Sequence, residues 1–554
     1  MRVNEILDNI GDIGWKGSED DQGRDCLPYM ENEDLSHGVF REMAEDIRSR
    51  AEVNGMSVSV EEDPFGNSYV TLFGDNIDKC VMICSHLDSV IRGGRFDGVL
   101  GVSAGLDVLN KFVDRGIIPK TSIKVAAFRS EESSVTGKSC LGSALATGSY
   151  EIDDLKKIEQ RVLGKTIFDI LLERGLSERN LQLLKENPYI DGDGLEAVLE
   201  VHVEQSDVLN SADKPFGIVI HGIGGSRRSN LVVKDLIESS SNNEGNLKLL
   251  RCVVNGEANH SGGTPMNGEI FDGSPVSMRK DALLAVAKFL KENSLGNVVE
   301  VSVPGGTYNV IPGQCVLDVL VSSEDDVEEI EKKFEASLKD GMFVDFEVMD
   351  RESADIQCIR DEVLATAMDI VCECEDLARE TAVSTRGLVR ATIGNVLCEE
   401  GNVTLFVDQR RLDNDIADRM AEEFLERINS VMKDTDFIEV VEDEGSLKLT
   451  LATPFGGEEI QNVMRELYKK LYGSLPLELG SMPGHDTSNI IRSRRNEHVP
   501  AGMIFVRGRN GGISHHPKEY SRREDIGKAV GFLFETVDEL AFEVKKESFE
   551  DFVA

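Results

Sequence analysis

The chain has 554 residues, of which 40% are hydrophobic and 29% are charged, and it is long enough to form more than one hydrophobic core. Its formal net charge of −41 argues against nucleic acids and anionic membranes as partners, because both surfaces would repel it. No apolar run is long enough to span a bilayer, and the acidic N-terminal segment lacks the pattern of a signal peptide. We therefore expect a cytoplasmic globular protein, whose acidity reflects either a solubilising surface or a salt-rich cytoplasm.

The N-terminal part of the chain, residues 1–223, has the pattern of an α/β domain. Helical spacing from about Leu35 to Asn54 precedes an alternating segment with a turn near Gly66, which predicts a helix followed by a β-hairpin. The apolar runs KCVMICSHLDSV, TSIKVAAFRSEE and LEAVLEVHVEQ then end in His, Asp or Glu, and a helical stretch separates the first two. Because ligands of α/β domains bind at the carboxyl ends of strands, these polar side chains are expected to share one site.

The middle of the chain, residues 224–450, is predicted to form a separate α+β domain. Its series contains the helical pattern RKDALLAVAKFLKEN, a strand pair flanking TYNVIPG and the helical pattern VEEIEKKFEASLKD. A second series of helix, two strands and helix follows, and its strand GNVTLFVDQ can be aligned with the earlier GQCVLDVLV. We expect this domain to be extended or partly duplicated, with an extra segment at about residues 320–400. Residues 451–554 return to apolar runs that end in polar residues, and they are expected to complete the first domain.

A candidate metal site lies at the predicted strand ends of the first domain. His86 and Asp88 share a face of an extended strand, so the carboxylate can orient the imidazole and raise its basicity. Gly93 and Gly94 allow a close approach of the loop that carries Asp97, which makes Asp97 the candidate bridge between two cations.

Two adjacent acids and two further histidines complete this candidate site. Glu131 and Glu132 end a predicted strand, where neighbouring side chains point in opposite directions, so one acid can bind metal while the other faces substrate. His202 and His515 add nitrogen ligands, and the whole set suits zinc, manganese, cobalt or nickel. Each residue alone has a structural explanation, as a buried histidine or a solvated acid. The prediction of a hydrolytic metal site therefore depends on the ordered set.

A series of segments extends from about residue 85 to residue 520: SHLDSVIRGGRFDGVLGVSAGL, FRSEESSVTGKSCLGS, LEVHVEQSDVL, GEANHSGGTPM, YNVIPG, GHDTSN and GGISHHPKE. In composition and order the series resembles the motifs of the amidase branch of the M20 metallohydrolases. This branch contains N-carbamoyl-L-amino acid hydrolases, β-ureidopropionases and allantoate amidohydrolases. The resemblance implies an α/β catalytic domain with a mixed sheet, formed by residues 1–223 and 451–554. It also implies an inserted ferredoxin-like α+β lid and dimerisation domain at residues 224–450.

The resemblance further implies roles for the site residues. Two divalent cations are expected, one held by His86 and His202, the other by Glu132 and His515, with Asp97 bridging them. Glu131 is expected to be the general base, which takes a proton from a metal-activated water and passes it to the leaving nitrogen. His485 and Asp486 of GHDTSN are expected to brace the site from below.

The lid domain is expected to help to bind the substrate. His260 resembles a substrate-clamping histidine of the family, which stabilises the developing oxyanion and serves the neighbouring subunit of a homodimer. Asn309 resembles a residue that hydrogen-bonds the substrate, and Gln205 lies beside the metal ligands in HVEQ. Asn309 also has a structural explanation, because an Asn before a Pro-Gly turn often only closes that turn.

The chain departs from the family at the arginine that grips the substrate carboxylate. An Asp-x-Arg normally ends the strand after NVIPG, but the corresponding register here gives Leu320 and Ser322. Asp408 and Arg410 supply this motif later in the chain, at the end of the strand that aligns with the first one. Arg410 is therefore the candidate clamp. If it is not, the substrate lacks the usual carboxylate.

The predicted function is hydrolysis of a linear, non-peptide C–N amide bond in a small ureido or N-carbamoyl amino acid. An aminoacylase or peptidase of the wider M20 group is one alternative, although such enzymes as a rule carry a carboxylate at the position of His202. A non-catalytic dimeric scaffold is the other alternative, and such a scaffold would not need Glu131 beside a complete ligand set. The motifs of P-loop proteins and of dinucleotide-binding enzymes are absent from the sequence.

Overall fold

The computed structural model of the chain divides into unit 1, Met1–Ile223 with Thr453–Ala554, and unit 2, Gly224–Ala452. Each unit has a hydrophobic core of its own. The roles of catalytic domain and lid, which the sequence assigns to these parts, stay predictions. The structure describes residues 3–13, 32–90, 93–160, 163–236, 247–271, 274–275, 279–293, 295–306, 308, 310–338, 341–350, 358–385, 387–399, 401–431, 438–443, 448–450, 452–455, 458–494 and 498–542.

Helices and strands alternate through most of the described chain. The helices are α1 (Val3–Gly11), α2 (Asn32–Val53), α3 (Val99–Arg115), α4 (Ser133–Thr136), α5 (Leu141–Ala146), α6 (Ile152–Leu155), α7 (Ile167–Glu173), α8 (Glu178–Glu186), α9 (Val208–Ser211), α10 (Ala282–Glu292), α11 (Glu324–Ser337), α12 (Asp361–Thr385), α13 (Asn414–Val431), α14 (Glu459–Tyr472), α15 (Thr487–Ile491) and α16 (Arg523–Phe542). The strands are β1 (Val58–Glu62), β2 (Ser68–Leu72), β3 (Asn76–His86), β4 (Thr121–Phe128), β5 (Glu159–Gln160), β6 (Lys165–Thr166), β7 (Leu195–Val203), β8 (Phe216–Ile223), β9 (Gly225–Asp235), β10 (Lys248–Asn255), β11 (Asn259–His260), β12 (Ile270–Phe271), β13 (Ser274–Pro275), β14 (Val298–Ser302), β15 (Val310–Ile311), β16 (Gln314–Val321), β17 (Phe343–Asp350), β18 (Val389–Glu399), β19 (Asn402–Arg411), β20 (Ile438–Glu442), β21 (Lys448–Thr450), β22 (Glu478–Ser481) and β23 (Ala501–Val506).

Unit 1 is built on a mixed eight-stranded sheet with the order β1-β2-β4-β3-β7-β23-β8-β22. The central strands β4, β3, β7 and β23 are mutually parallel, whereas the β1–β2 hairpin is added in antiparallel fashion to β4. The sequence predicted α2, this hairpin, and the strand–helix–strand series of β3, α3 and β4, and all of them are present. The predicted α/β class with a mixed sheet is confirmed.

Helix α3 lies directly against this sheet and is buried along most of its length. A Cβ on Gly101 would lie 2.4 Å from the carbonyl oxygen of Val201, and a Cβ on Gly105 would lie 2.8 Å from a methyl carbon of Val125. The two glycines are four residues apart and share one face of the helix, so together they let the helix backbone approach the strands. This close packing fixes the position of the loop that precedes Val99.

The two larger sheets of unit 2 have the same strand order when the strands are numbered within each sheet in chain order: second, third, first, fourth. The first has the order β14-β16-β10-β17 and the second the order β18-β19-β9-β20, with the short β21 also paired to β9. All of these pairs are antiparallel. The short strands β11, β12, β13, β15 and β21 lie outside the shared order. Without them, each series runs in chain order strand, helix, two strands, helix, strand, which is the ferredoxin-like β-α-β-β-α-β connectivity. The whole first series lies between β9 and α12 of the second.

Among the described residues, no helix combines the length and the apolar character that crossing a lipid bilayer requires.

Candidate metal centre and active site

The candidate ligands of unit 1 lie at the carboxyl ends of its central parallel strands. His86 is the last residue of β3, and His202 is the second-last residue of β7. Asp97 lies in the loop before α3, and His515 lies in the loop that follows β23. Parallel strands end at the same edge of a sheet, so four separate chain segments deliver these side chains to one place.

The acid pair lies beyond its strand, in contrast to the sequence-based prediction that it ends the strand. Strand β4 ends at Phe128, and the chain then turns at Ser130, which has a φ of +50°. The Asp88 carboxylate accepts the backbone N–H of Glu131 at 3.0 Å through Oδ1 and that of Glu132 at 2.9 Å through Oδ2. The turn is therefore held by Asp88 and not by strand pairing.

Two groups of three ligands share the Asp97 carboxylate. In the first group, Asp97 Oδ1 lies 3.4 Å from His86 Nε2 and 3.0 Å from His202 Nε2. In the second group, Asp97 Oδ2 lies 3.4 Å from His515 Nε2, which lies 3.1 Å from Glu132 Oε1. Donor atoms around one divalent cation lie roughly 3 to 3.5 Å apart, so the spacing and chemistry of both groups suit such a cation. The two oxygens of Asp97 face different groups, which is the arrangement that a bridging carboxylate needs.

The opposite ring nitrogens of two histidines are engaged away from these groups. His86 Nδ1 lies 3.2 Å from the backbone oxygen of Asp88 and 3.4 Å from its carboxylate. His202 Nδ1 lies 2.9 Å from the backbone oxygen of Val203. Such contacts fix the tautomer of a metal-binding histidine and leave Nε2 for the cation.

Glu519 holds the loop that carries Asp97. Its Oε1 accepts the backbone N–H groups of Phe96 and Asp97, both at 3.0 Å, and its Oε2 accepts the Ser514 hydroxyl at 2.9 Å. A Cβ on Gly94 would lie 2.0 Å from Glu519 Oε1, so only glycine leaves room for this carboxylate. The ligand loops before α3 and after β23 are thus tied together by one buried acid.

Glu131 belongs to neither ligand group and stands beside both. Its Oε2 lies 3.9 Å from His86 Nε2, and its Oε1 accepts the Cys140 thiol at 3.1 Å. Burial raises the pKa of Glu131 well above its usual range; His86 lowers that pKa, and Glu132 raises it further. A buried carboxyl group with a raised pKa can take up a proton and release it again, which is the work of a general base.

The charges within the ligand groups support one another. Burial raises the pKa of Asp97, but His202, His515 and His86 hold it well below the usual range. Burial lowers the pKa of His515, but contacts with Glu132 and Asp97 raise it well above the ordinary value. Asp97 therefore stays ionised at neutral pH, as a bridging ligand must.

A third group of possible ligands, which the sequence analysis did not single out as such, lies next to the first. Glu200, His202 and His485 come within ligand distance of one another. Glu200 accepts the Thr487 hydroxyl at 2.6 Å, and His485 Nε2 lies 2.7 Å from the Ser481 hydroxyl. Because both ring nitrogens of His202 already have contacts, this group supports His202 rather than forming another cation site.

Gln205 lies against the bridging carboxylate. Its Nε2 donates to Asp97 Oδ2 at 2.8 Å and lies 3.3 Å from His515 Nε2. Gln205 and His515 both have a φ of +57°, in the left-handed region that residues other than glycine seldom adopt. Backbone strain of this kind concentrates at functional sites, where the surrounding structure holds it.

His260 lies in unit 2, at the end of β11. Its Nδ1 accepts the backbone N–H groups of Gly262 at 3.1 Å and Gly263 at 2.8 Å. Because Nδ1 accepts twice, the ring proton of the neutral imidazole is on Nε2. His260 therefore presents Nε2 as a hydrogen-bond donor.

Arg410 also lies in unit 2, and it neighbours the loop of His260. Arg410 Nε donates to Asp408 Oδ2 at 2.7 Å, and the Ser261 hydroxyl donates to the same oxygen at 2.6 Å. The Arg410 side chain is buried, and within the described part of the chain its Nη2 has no hydrogen-bond partner. Asn309 lies outside the described residues, although the adjacent Tyr308 donates to Asn230 in β9.

The sequence model of peptidase family M20/M25/M40 matches residues 82–539. The chain belongs to this family. The matched range includes every ligand of the two groups, together with His260 and Arg410. M20 membership thus covers both parts of unit 1 and all of unit 2.

Named relatives confirm the resemblance to the amidase branch of M20. An N-carbamoyl-L-amino acid amidohydrolase of Geobacillus stearothermophilus is 24% identical, over 87% of this chain and 87% of that protein. An allantoate deiminase of Arabidopsis thaliana is 24% identical, over 92% of this chain and 78% of that protein. Among solved structures, a putative amidohydrolase/peptidase from Burkholderia cenocepacia has a TM-score of 0.57 at 19% identity, over 98% of both chains.

Three supporting residues of this M20 chain were missed in the sequence analysis: Cys140, Glu200 and Glu519. Glu519 follows His515 by four residues in HHPKE, and an acid so close to a metal-binding histidine was a usable signal. Glu200 precedes His202 on the same face of β7, which was a similar signal. Cys140 gave no signal, because its contact with Glu131 depends on the turn at Ser130.

Proposed function

We propose that the chain is a metal-dependent amidohydrolase that cleaves a linear, non-peptide C–N bond in a small ureido or N-carbamoyl amino acid. One observation carries the proposal: the two oxygens of Asp97 face two ligand groups, while Glu131 stands next to them and belongs to neither. The names of the relatives, N-carbamoyl-L-amino acid amidohydrolase and allantoate deiminase, support this substrate class.

In the proposed mechanism, Glu131 moves the proton. Divalent cations would be held by the two ligand groups and would polarise the scissile carbonyl and the attacking water. Glu131 takes the proton of this water on Oε2, the oxygen nearer to the ligand groups, while the Cys140 thiol holds Oε1. The protonated Glu131 then gives the proton to the leaving nitrogen, which departs as a neutral amine or as ammonia. Asp88 keeps Glu131 in place through the backbone N–H contact.

Unit 2 is proposed to bind the rest of the substrate. His260 donates from Nε2 to the carbonyl oxygen as negative charge develops on it, which is why its fixed tautomer matters. Arg410 binds the substrate carboxylate with the guanidinium edge that Asp408 leaves open. Asn309 and Gln205 are proposed to add hydrogen bonds to the substrate. The homodimer that the family resemblance implies stays a prediction.

The test is ammonia release by the metal-reconstituted protein from N-carbamoyl amino acids, N-carbamoyl-β-alanine and allantoate. We expect turnover of at least one of these compounds and a roughly 10²- to 10⁴-fold lower kcat in Glu131→Gln, because the base is lost while every ligand stays. The bound-metal content of Glu131→Gln should equal that of the wild type. Glu466→Gln, an exposed acid on α14, is the matched control and should keep full activity.

N-acetyl amino acids and dipeptides form the opposing arm of the test. Their hydrolysis gives free amino acids and no ammonia, so it is measured as release of amino acid. Cleavage of these compounds alone would replace the proposal by an aminoacylase or peptidase activity. Full activity of Glu131→Gln on a ureido substrate would overturn the assigned base.

Arg410→Ala tests the proposed carboxylate clamp. Loss of a charge-assisted contact should raise KM roughly tenfold to a hundredfold for substrates with a carboxylate and leave kcat nearly unchanged. An N-carbamoyl amine without a carboxylate is the control substrate, and its KM should not respond. An equal rise in KM for both substrates would show that Arg410 does not bind the carboxylate.

A further inference from the structure

The two ferredoxin-like series of unit 2 share a detail beyond their strand order. The second strand of each series, β14 or β18, carries one register irregularity against the third strand. It lies between Val298 and Glu300 in the first series and between Ile393 and Asn395 in the second. A bulge inserts one residue at a defined position and is a specific structural feature, so it provides an alignment of the two series.

This alignment shows where the two series differ. Val298 pairs with Val319 and Ile393 pairs with Val407, so Val319 and Val407 correspond. Counting forward, Leu320 takes the position of Asp408, and Ser322 takes the position of Arg410. The first series therefore lacks the Asp-x-Arg that the second one carries.

Histidine is distributed in the opposite way. His260 is the only histidine in residues 224–452, and it lies directly after β10, in the first series. The first series also contains the NVIPG turn, whose β15 pairs with β11. Each series thus holds one part of the proposed substrate-binding set, and neither holds all of it.

The two series meet through equivalent elements. The second strands of the two series contact each other, because the Cys398 thiol of β18 donates to the backbone oxygen of Val301 in β14 at 3.3 Å. The first helices of the two series also contact each other. The Lys291 side chain of α10 lies 2.9 Å from the Asp369 carboxylate of α12, and both helices contribute to one hydrophobic core. Identical surfaces meet in this way across the two-fold axis of a symmetric dimer.

The two parts of the binding set come together at this junction. The Ser261 hydroxyl, next to His260, donates to Asp408 at 2.6 Å. Arg390 of β18 donates to the backbone oxygens of Gly262 at 2.5 Å and Gly263 at 3.2 Å. The second series therefore holds the loop that the first series supplies.

We propose that the first series takes the place of a second subunit, so that one chain supplies both parts of the set. The chain then works as a monomer, in place of the homodimer that the family resemblance predicts. The role of His260 and Arg410 in substrate binding rests on the proposed function. The pairing of the two series inside one chain rests on topology alone.

Strands β14 and β18, the end strands of the two sheets, already contact each other inside one chain. A chain with one catalytic unit needs one set of substrate-binding residues. The first series supplies His260 and the second supplies Arg410, so together they provide one such set.

The test is complementation in a co-expressed pair. Glu131→Gln and His260→Ala are placed on differently tagged full-length chains, purified in tandem and assayed with the substrate that the wild type cleaves. A monomer gives no doubly tagged species and no more activity than the two variants alone. A doubly tagged species whose activity is roughly tenfold or more above either variant would show that one chain completes the site of another, and would overturn the inference.

A mass measurement keeps the inference separate from the proposed function. Sedimentation of the wild-type holoenzyme should give the mass of one chain at every assay concentration, and dilution should leave the specific activity unchanged. A two-chain mass would overturn the inference whatever the substrate is. An inactive wild type with a one-chain mass would instead contradict the proposed function, while it would still support the pairing of the two series inside one chain.

Discussion

At the scale of single residues, Cys140 tests how finely the candidate base is positioned. Its thiol donates to Glu131 Oε1 at 3.1 Å, and its backbone N–H donates to the backbone oxygen of the same residue at 2.7 Å. Cys140→Ala removes only the side-chain contact, which contributes about 1 kcal/mol, so we expect kcat to fall about fivefold with an unchanged KM. Cys140→Ser keeps a donor and should restore most of the activity. Steady-state kinetics on all three proteins checks this.

The matched control for this prediction is Cys252→Ala, which removes a buried thiol from unit 2. It should lower the free energy of unfolding and leave kcat unchanged, because Cys252 packs in the hydrophobic core of unit 2. If Cys140→Ala and Cys140→Ser lose the same activity, packing and not the hydrogen bond explains the effect.

The chemistry of single residues could be predicted from the sequence better than their supporting contacts. His86 and His202 each end an apolar run, and that local pattern identified them as candidate ligands. The glycines of its loop identified Asp97 as the candidate bridge. The ligands on each side of the bridge were a family expectation, because they come from loops that are far apart in the chain. The Asp97–Glu519 connection was not predicted for the same reason.

At the scale of elements, a buried ion pair holds the loop that carries His260. Arg390 binds Glu269 through two hydrogen bonds, Nε to Oε1 at 2.8 Å and Nη2 to Oε2 at 2.9 Å, and both side chains are buried. Glu269→Gln or Arg390→Met leaves one buried charge without compensation, so each should lower the free energy of unfolding by about 3–5 kcal/mol. The double variant should lose clearly less than the sum of the two. Urea unfolding of the four proteins checks this.

An exposed pair of the same unit is the control for this cycle. Lys280 and Glu257 lie 3.0 Å apart near the protein surface, and breaking such a pair costs at most about 1 kcal/mol. Equal losses from Glu257→Gln and Glu269→Gln would mean that burial does not strengthen the Arg390 contact.

The N-cap of α10 predicts a dependence of stability on pH. Asp281 accepts the backbone N–H of Leu284 at 3.0 Å, and burial raises its pKa from 3.8 to about 7. Because the pKa is raised in the folded state, the stability that Asp281 contributes is complete below pH 3.8 and is lost as the pH rises to about 7. Asp281→Asn does not titrate and still caps the helix. Its advantage over the wild type should be on the order of 4 kcal/mol larger at pH 8 than at pH 4, because one pKa unit corresponds to about 1.4 kcal/mol.

Urea unfolding at the two pH values, followed by circular dichroism, measures this difference. Asp325→Asn removes an exposed acid from the first turn of α11 and should show no such pH-dependent advantage. An Asp281→Asn advantage that is the same at both pH values would show that Asp281 is ionised in the folded protein throughout this range.

The elements themselves could be predicted from local patterns, but their pairing could not. Alternation and flanking helices identified the β14–β16 and β18–β19 hairpins, because both strands of a hairpin are adjacent in sequence. Strand β9 pairs with β19, and a complete ferredoxin-like series lies between them in the chain. No local signal marks an antiparallel pair with such a separation, so the shared strand order was visible only in the structure.

At the scale of the whole molecule, the acidic surface predicts that salt stabilises the fold. The chain has 101 acidic and 60 basic residues, so 41 acids have no basic residue to balance them. Salt weakens two opposing effects: exposed ion pairs, each of which contributes only about 0–1 kcal/mol, and the repulsion among excess acids, which the compact state concentrates. The repulsion should dominate at this charge.

We therefore expect potassium chloride to raise the free energy of unfolding by on the order of 2 kcal/mol as the Debye length falls from about 10 Å at 0.1 M to about 3 Å at 1 M. A chain with Asp325→Asn, Glu328→Gln and Glu335→Gln on α11 has less repulsion and should respond less to salt. A wild type that is fully folded at low salt fits a solubilising surface, whereas one that unfolds there fits a salt-rich cytoplasm. A stability that falls with salt would show that ion pairs outweigh repulsion, since screening acts on both.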